Sequence, residues 1–327
     1  MVAHRIHSLD YLKLVLALGV VFGHAILMQN QLKPWSYLIG AGMLRGLVPT
    51  FAAVSGYSIY VTQKRGKLDL WLKGLIATYL FWTAFYLPVW IRDVSEPGQI
   101  LQVLVFGTMH LWYIAGLVLA LPMMLATLWL GRRTGTGPWP MLGAALLLAL
   151  IGSGLGFWSF LVTPLPMDLY RNGITVIFPF VAAGYGVAML VDRRGREVLP
   201  SARWLWLALI GLSALKIMES AIAMRVYGVS IRTLPDLPFL GIPAALLMFL
   251  AFLRLDLPRA PINLGLWSAS VYFLHVFMIL LARHFGITAI WSTFLLGVIV
   301  PILLAIVFER GMGLRRRLRG SRDEVRP

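Results

Sequence analysis

Ten stretches of the chain are apolar over about the length of a membrane-crossing helix, at 9–28, 40–61, 72–91, 102–129, 141–161, 173–191, 203–222, 237–254, 263–283 and 289–309. Each comes close to the roughly 20 apolar residues that a spanning helix needs. The pattern therefore predicts an all-α, polytopic transmembrane helix bundle of about ten spans. The polar segments between them alternate in charge. One set carries Lys64, Arg65, Lys67 and Lys73, then Arg132 and Arg133, then Arg193, Arg194, Arg196 and Arg203, then Arg254 and Arg259. The tail adds Arg315, Arg316, Arg317, Arg319 and Arg322, whereas the opposite set holds only Lys33, Arg92, Arg171, Arg225 and Arg232. Basic residues are retained on the cytoplasmic side. Both termini are thus expected in the cytoplasm, which requires an even number of spans.

Composition agrees with this pattern. Of 327 residues, 59% are apolar and 13% charged, with a mean hydropathy of +0.81. A soluble domain of this size cannot hide so much apolar surface. Almost nothing is left for a soluble catalytic domain, so chemistry must sit inside the bundle or at its rim. The expected organisation is a membrane-embedded domain over 1–314 and a basic cytoplasmic tail over 315–327. The tail serves as a topology anchor or binds anionic lipid heads. The absence of cysteine excludes disulfides, thiol nucleophiles and Cys-ligated zinc. A net charge of +16 and a pI near 10.7 often flag nucleic-acid binding, but in a membrane protein retained cytoplasmic charge accounts for them, and no nucleic acid is expected. The N-terminal run contains Asp10 and Lys13 and lacks the pattern of a cleaved signal peptide.

Ionisable groups inside spans cost on the order of 2.5–3.5 kcal/mol each, so each needs a partner or a function. The first helix carries Asp10 and Lys13 at one end and His24 toward the other. Lys13 and His24 are eleven residues apart, close to three turns, on one face and about 16 Å apart along the axis. Either Lys13 snorkels to the headgroups and His24 bonds a neighbouring helix, or the stripe joins a cytosolic cation to a titratable imidazole. With both termini inside, His110 and His275 fall at a depth similar to His24, which points to a polar cavity there. Arg45 and Arg171 would stand above it. No metal is expected: although imidazole is a common ligand, none of these histidines belongs to a ligand-spaced pair. Lys216 and Glu219, three apart on one helix, read as a mutual ion pair. The string Ser55-Gly56-Tyr57 reads as close helix packing through small residues, on the cytoplasmic side and away from the histidines.

Several strings, in order, resemble the integral membrane acyltransferase family 3, especially its sugar O-acetyltransferase branch. They are Leu9-Asp10-Tyr11-Leu12-Lys13 through Val21-Phe22-Gly23-His24, and Arg45 through Pro49, Phe51 and Ser55-Gly56-Tyr57. After these come His110-Leu111-Trp112-Tyr113 with Pro122, Phe178-Pro179-Phe180 with Gly184-Tyr185, and Ser268 through Tyr272-Phe273-Leu274-His275. The match reaches from the first predicted helix to the ninth. It departs from the family at Lys13, where Arg is commoner, and at a basic pair entering the third helix, of which only Lys73 remains. The extracytoplasmic hydrolase-like domain that some members carry is not read here, so a relay through a second site on this polypeptide is not expected.

The resemblance implies an acyl-CoA donor, acetyl-CoA in the sugar branch, approaching from the cytosol, and a glycan or lipid-linked sugar hydroxyl as acceptor. It also implies a bacterial inner membrane. Lys13, Lys64, Arg65 and Lys73 would meet the CoA phosphates. His24 would act as general base, with an acyl-histidine intermediate the second choice. The oxyanion would take donors from Arg45, His110, Tyr113 or His275. The competing class is a multi-pass transporter of a small anion or lipid-linked sugar. Transporters often show internal repeats with corresponding broken helices, and no such symmetry relates the two halves. A structural membrane protein does not account for the clustered histidines.

Overall fold

A computed structural model describes residues 6–28, 32–229 and 237–323, with side chains up to residue 312 in the last helix. Arg232, the start of the Pro-rich stretch 234–243, and the side chains of Arg315, Arg316, Arg317, Arg319 and Arg322 lie outside the described residues. The helices are α1 (His7–Leu27), α2 (Pro34–Gly42), α3 (Leu47–Lys64), α4 (Leu68–Phe85), α5 (Leu87–Trp90), α6 (Pro97–Phe106) and α7 (Trp112–Arg133). They continue with α8 (Trp139–Leu161), α9 (Phe178–Arg194), α10 (Ala202–Tyr227), α11 (Gly241–Leu253), α12 (Leu264–His284) and α13 (Ile290–Asp323). No strand occurs among the described residues. The expected all-α class is what the structure shows.

Eight helical stretches are long and apolar enough to cross a membrane, or nine if α4 and the segment Leu87–Asp93, bent by 51°, form one span. The remaining predicted span, 237–254, is α11, whose 13 residues reach about 20 Å at 1.5 Å per residue. That falls short of a hydrocarbon core of about 30 Å. The run predicted as one helix over 102–129 is two. Gly107 breaks it at φ +80°, and a Cβ there would stand 2.5 Å from the Trp112 Cα. Met109 follows at φ +47°, a left-handed conformation uncommon for a non-glycine residue. His110 therefore sits in a tight turn, Met109–Leu111, at the head of α7.

The helices group into two compact units, one of residues 1–12 and 31–258, the other of 13–30 and 259–327. Lipid offers no hydrophobic drive between helices, so close packing through small residues holds them together. In the first unit this is plainest between α3 and α9. A Cβ on Gly56 would lie 1.9 Å from the Val181 carbonyl oxygen, and one on Gly184 would lie 1.9 Å from the Ala53 oxygen. Each helix presents its glycine to the other's backbone. The packing role expected of Gly56 is thus what the two helices use it for. A single π turn, Gly173–Ile177, is capped by Asn172, whose side chain accepts from the amides of Ile174 and Thr175. It packs on α7 where Gly116 leaves room.

The second unit joins α1 to α12 and α13. Ser268 Oγ donates to the Lys13 carbonyl at 3.1 Å, His275 meets His24, and Arg283 donates to the Met28 carbonyl at 2.6 Å. The three contacts advance together along both helices, so α1 and α12 run in the same direction. Gly297 of α13 packs against both, since a Cβ there would be 2.8 Å from Val21 Cγ1 and 3.6 Å from the His275 Cβ. Phe22 completes this seam against Trp291 and Phe294, with ring centroids 5.3 and 5.5 Å away. Away from the seams the helices expose apolar side chains such as Leu147, Ile210 and Leu303, as a lipid-facing surface requires. Trp139 and Trp204 stand exposed near helix starts, the position of an interfacial aromatic belt.

Candidate active site

His24 and His275, 251 residues apart in the chain, are brought into contact in the second unit. Their rings lie with centroids 4.9 Å apart, and His275 Nε2 is 3.0 Å from His24 Nδ1. His275 is fully buried and His24 half-buried. The other ring nitrogen of His275, Nδ1, lies 3.0 Å from the Val271 carbonyl and 2.7 Å from that of Tyr272. These are the carbonyls three and four residues back on the same helix, so the helix itself fixes the ring's orientation. Lys13, half-buried, lies three turns down α1 from His24, and its carbonyl is the one bonded by Ser268. The two ends of the Ser268-to-His275 string thus meet the two ends of the Lys13-to-His24 stripe.

The remaining candidates stand in the first unit. Arg45 lies in the tight turn Leu44–Gly46. His110 is 2% exposed and meets the Tyr86 ring edge-on, 5.1 Å between centroids. Beside it, the Arg171 guanidinium lies over the Trp112 ring at 5.3 Å, a cation–π geometry. The buried Tyr113 hydroxyl stands 2.7 Å from Ser55 Oγ and donates to the Phe51 carbonyl at 3.3 Å. Ser55 thus meets one of the candidate residues, Tyr113. Gly56 packs α3 onto α9, and that turns Ser55, one residue earlier, toward α7.

Two charged residues differ from expectation. Lys64 is paired with the Asp192 carboxylate at 3.1 Å, which also accepts from the Tyr60 hydroxyl at 2.7 Å. Its charge is partly committed to tying α3 to α9, while Arg65 and Lys73 are exposed. Lys216 is buried, and a Cβ added at Gly46 would stand 3.6 Å from its ammonium. It feels the charges of both Glu219 and Arg45, so the expected private pair with Glu219 is part of a wider group. Asp192 and the Ser55–Tyr113 contact escaped the sequence because neither residue is unusual where it stands. Asp192 ends a helix beside Arg193 and Arg194 and looks like ordinary loop charge. Among the described residues no three His, Cys, Asp or Glu side chains gather as a metal-holding group.

A family model described as an acyltransferase domain, that of acyltransferase family 3, matches residues 6–310. A curated serine/alanine racemase of Enterococcus gallinarum is 26% identical over 329 residues, covering 92% of this chain and 45% of its own length. The chain thus spans less than half of that relative. No solved structure matches.

Proposed function

Because the chain belongs to acyltransferase family 3, and is with its many apolar helices a multi-pass membrane acyltransferase, we propose the following reaction. An acetyl group passes from cytosolic acetyl-CoA to a hydroxyl of a cell-surface or lipid-linked glycan, with His24 as general base, in a bacterial inner membrane. The observation that carries the reading is the half-buried imidazole of His24, held by His275, three turns from Lys13 on one helix. A pantetheine arm is long enough to cover the roughly 16 Å between them. The hydroxyl loses its proton to the imidazole as its oxygen attacks the thioester carbonyl. The C–S bond then breaks, and CoA leaves as the thiol after taking that proton. Lys13 is the proposed phosphate contact. Racemisation, named for the Enterococcus protein, is not proposed, since the shared stretch is less than half of that protein.

Topology supports the cytosolic donor. Since α1 and α12 run the same way, α12 holds an odd place in the order of spans and α13 an even one. Both termini then lie on one side. Eight spans satisfy this, as do ten when the bent pair and α11 both cross; nine do not. We propose ten, with the short α11 crossing together with residues beside it, because only then do the basic loops at 64–73, 132–133, 193–203 and 254–259 share the cytosolic side with the termini.

Purified protein in nanodiscs, given labelled acetyl-CoA and candidate sugars, is expected to form a labelled ester, and to hydrolyse the donor slowly when no acceptor is present. Sugar or anion flux in liposomes with no consumption of donor would make the protein a transporter instead. In the same assay Lys13→Ala should raise the donor KM about tenfold or more, the equivalent of one lost charge-assisted contact, with kcat little changed. An unchanged donor KM removes Lys13 from the phosphate site.

A further inference from the structure

We infer that His275 is a positioning residue that fixes the neutral His24 ring in its Nδ1–H form, leaving the basic lone pair on Nε2. This rests on the reading of His24 as the base, and it follows from a count of protons. A neutral imidazole has one N–H and one lone pair. Backbone carbonyls only accept, and two of them stand within 3.0 Å of His275 Nδ1, so the proton of His275 is on Nδ1. Its Nε2 therefore carries the lone pair and must accept. The nitrogen it meets at 3.0 Å is His24 Nδ1, which must then be the N–H of His24. The relay Val271 and Tyr272 carbonyls, His275, His24 runs one way, and its end is the Nε2 lone pair.

A cationic His275 would place a second N–H at this contact, and the ring is fully buried, where an unpaired charge is costly. When His24 takes the acceptor proton at Nε2, the bond from its Nδ1–H to His275 persists and becomes charge-assisted. The device has the logic of the orienting carboxylate in a serine protease triad, where a wrong tautomer costs about 10⁴ in kcat, but here a neutral ring does the orienting. It also removes His275 from the oxyanion donors expected from the sequence, since its single proton is already held between two carbonyls. Gly297 lets α13 pack closely at the His275 Cβ, where an added methyl would stand 3.6 Å away.

The test is histidine-selective ¹⁵N NMR of the full chain in nanodiscs, its signals assigned with His24→Ala, alongside steady-state kinetics. Wild-type His24 should appear as the Nδ1–H form. In His275→Leu, which removes the acceptor, that form should give way to a mixture, and kcat should fall about 100-fold with both KM values near wild type. His275→Gln can give an N–H to the carbonyls and an oxygen to His24, and should restore kcat to within about tenfold. His24 found as the Nε2–H form in the wild type, or wild-type turnover in His275→Leu, overturns the inference. If His275→Leu fails to insert, the wild-type tautomer decides alone. A wild-type Nδ1–H form together with an active His24→Ala enzyme keeps the relay and overturns the base.

Discussion

His24→Ala is expected to insert and fold, and to lose acyl transfer by about 10²–10⁴-fold, the range a positioned general base contributes. The substitution removes a half-buried side chain bonded to His275. His275 Nε2 is left buried without its donor, at a cost of about 1–3 kcal/mol. Loss of helix packing is not expected, because the seam of the second unit is made by Val21, Phe22, Gly297, Trp291 and Phe294. A melting curve close to the wild type's, together with the lost rate, separates chemistry from folding. Turnover retained in this variant removes His24 from the base role.

The largest effect on stability is expected at the crossing of α3 and α9. Gly56→Ala and Gly184→Ala each place a methyl group 1.9 Å from a backbone oxygen. A main-chain oxygen inside a helix cannot turn aside as a side chain can, so the helices must separate. Overpacking of this kind costs typically 1–3 kcal/mol and sometimes more, and both variants should melt well below the wild type. The two contacts lie in one crossing, so the double variant should lose less than the sum of the two single losses. Gly74→Ala and Gly211→Ala are the controls: nothing lies within 4 Å of either added methyl, and Ala is the better helix former by about 1 kcal/mol. Gly56→Ala melting with the wild type would contradict the packing described for this crossing.

Hydropathy made the helical class and most spans legible, because lipid imposes one composition on every crossing segment. It could not show the break before His110. Phe106 to Leu111 is apolar enough to continue a helix, and only the backbone at Gly107 and Met109 ends it. Helical spacing made the Lys13–His24 stripe legible, since that geometry is local to one helix. The meeting of His24 with His275 was not, because contacts between distant helices leave no periodic mark on either. Depth alone grouped His110 with those two, yet His110 belongs to the first unit and they belong to the second. Lys64 looked like a free rim cation for the same reason: its partner Asp192 is 128 residues away on another helix.

The claim on which the rest depends is that the acyl end of the donor comes up to His24. Photolabelling the nanodisc-held protein with a CoA thioester whose acyl group carries a diazirine, followed by peptide mapping, reads this directly. The label is expected on α1 around His24 and on α12 around His275, and excess acetyl-CoA should suppress it. Label confined to lipid-facing positions such as Val15 or Leu303, or insensitive to acetyl-CoA, would contradict the account.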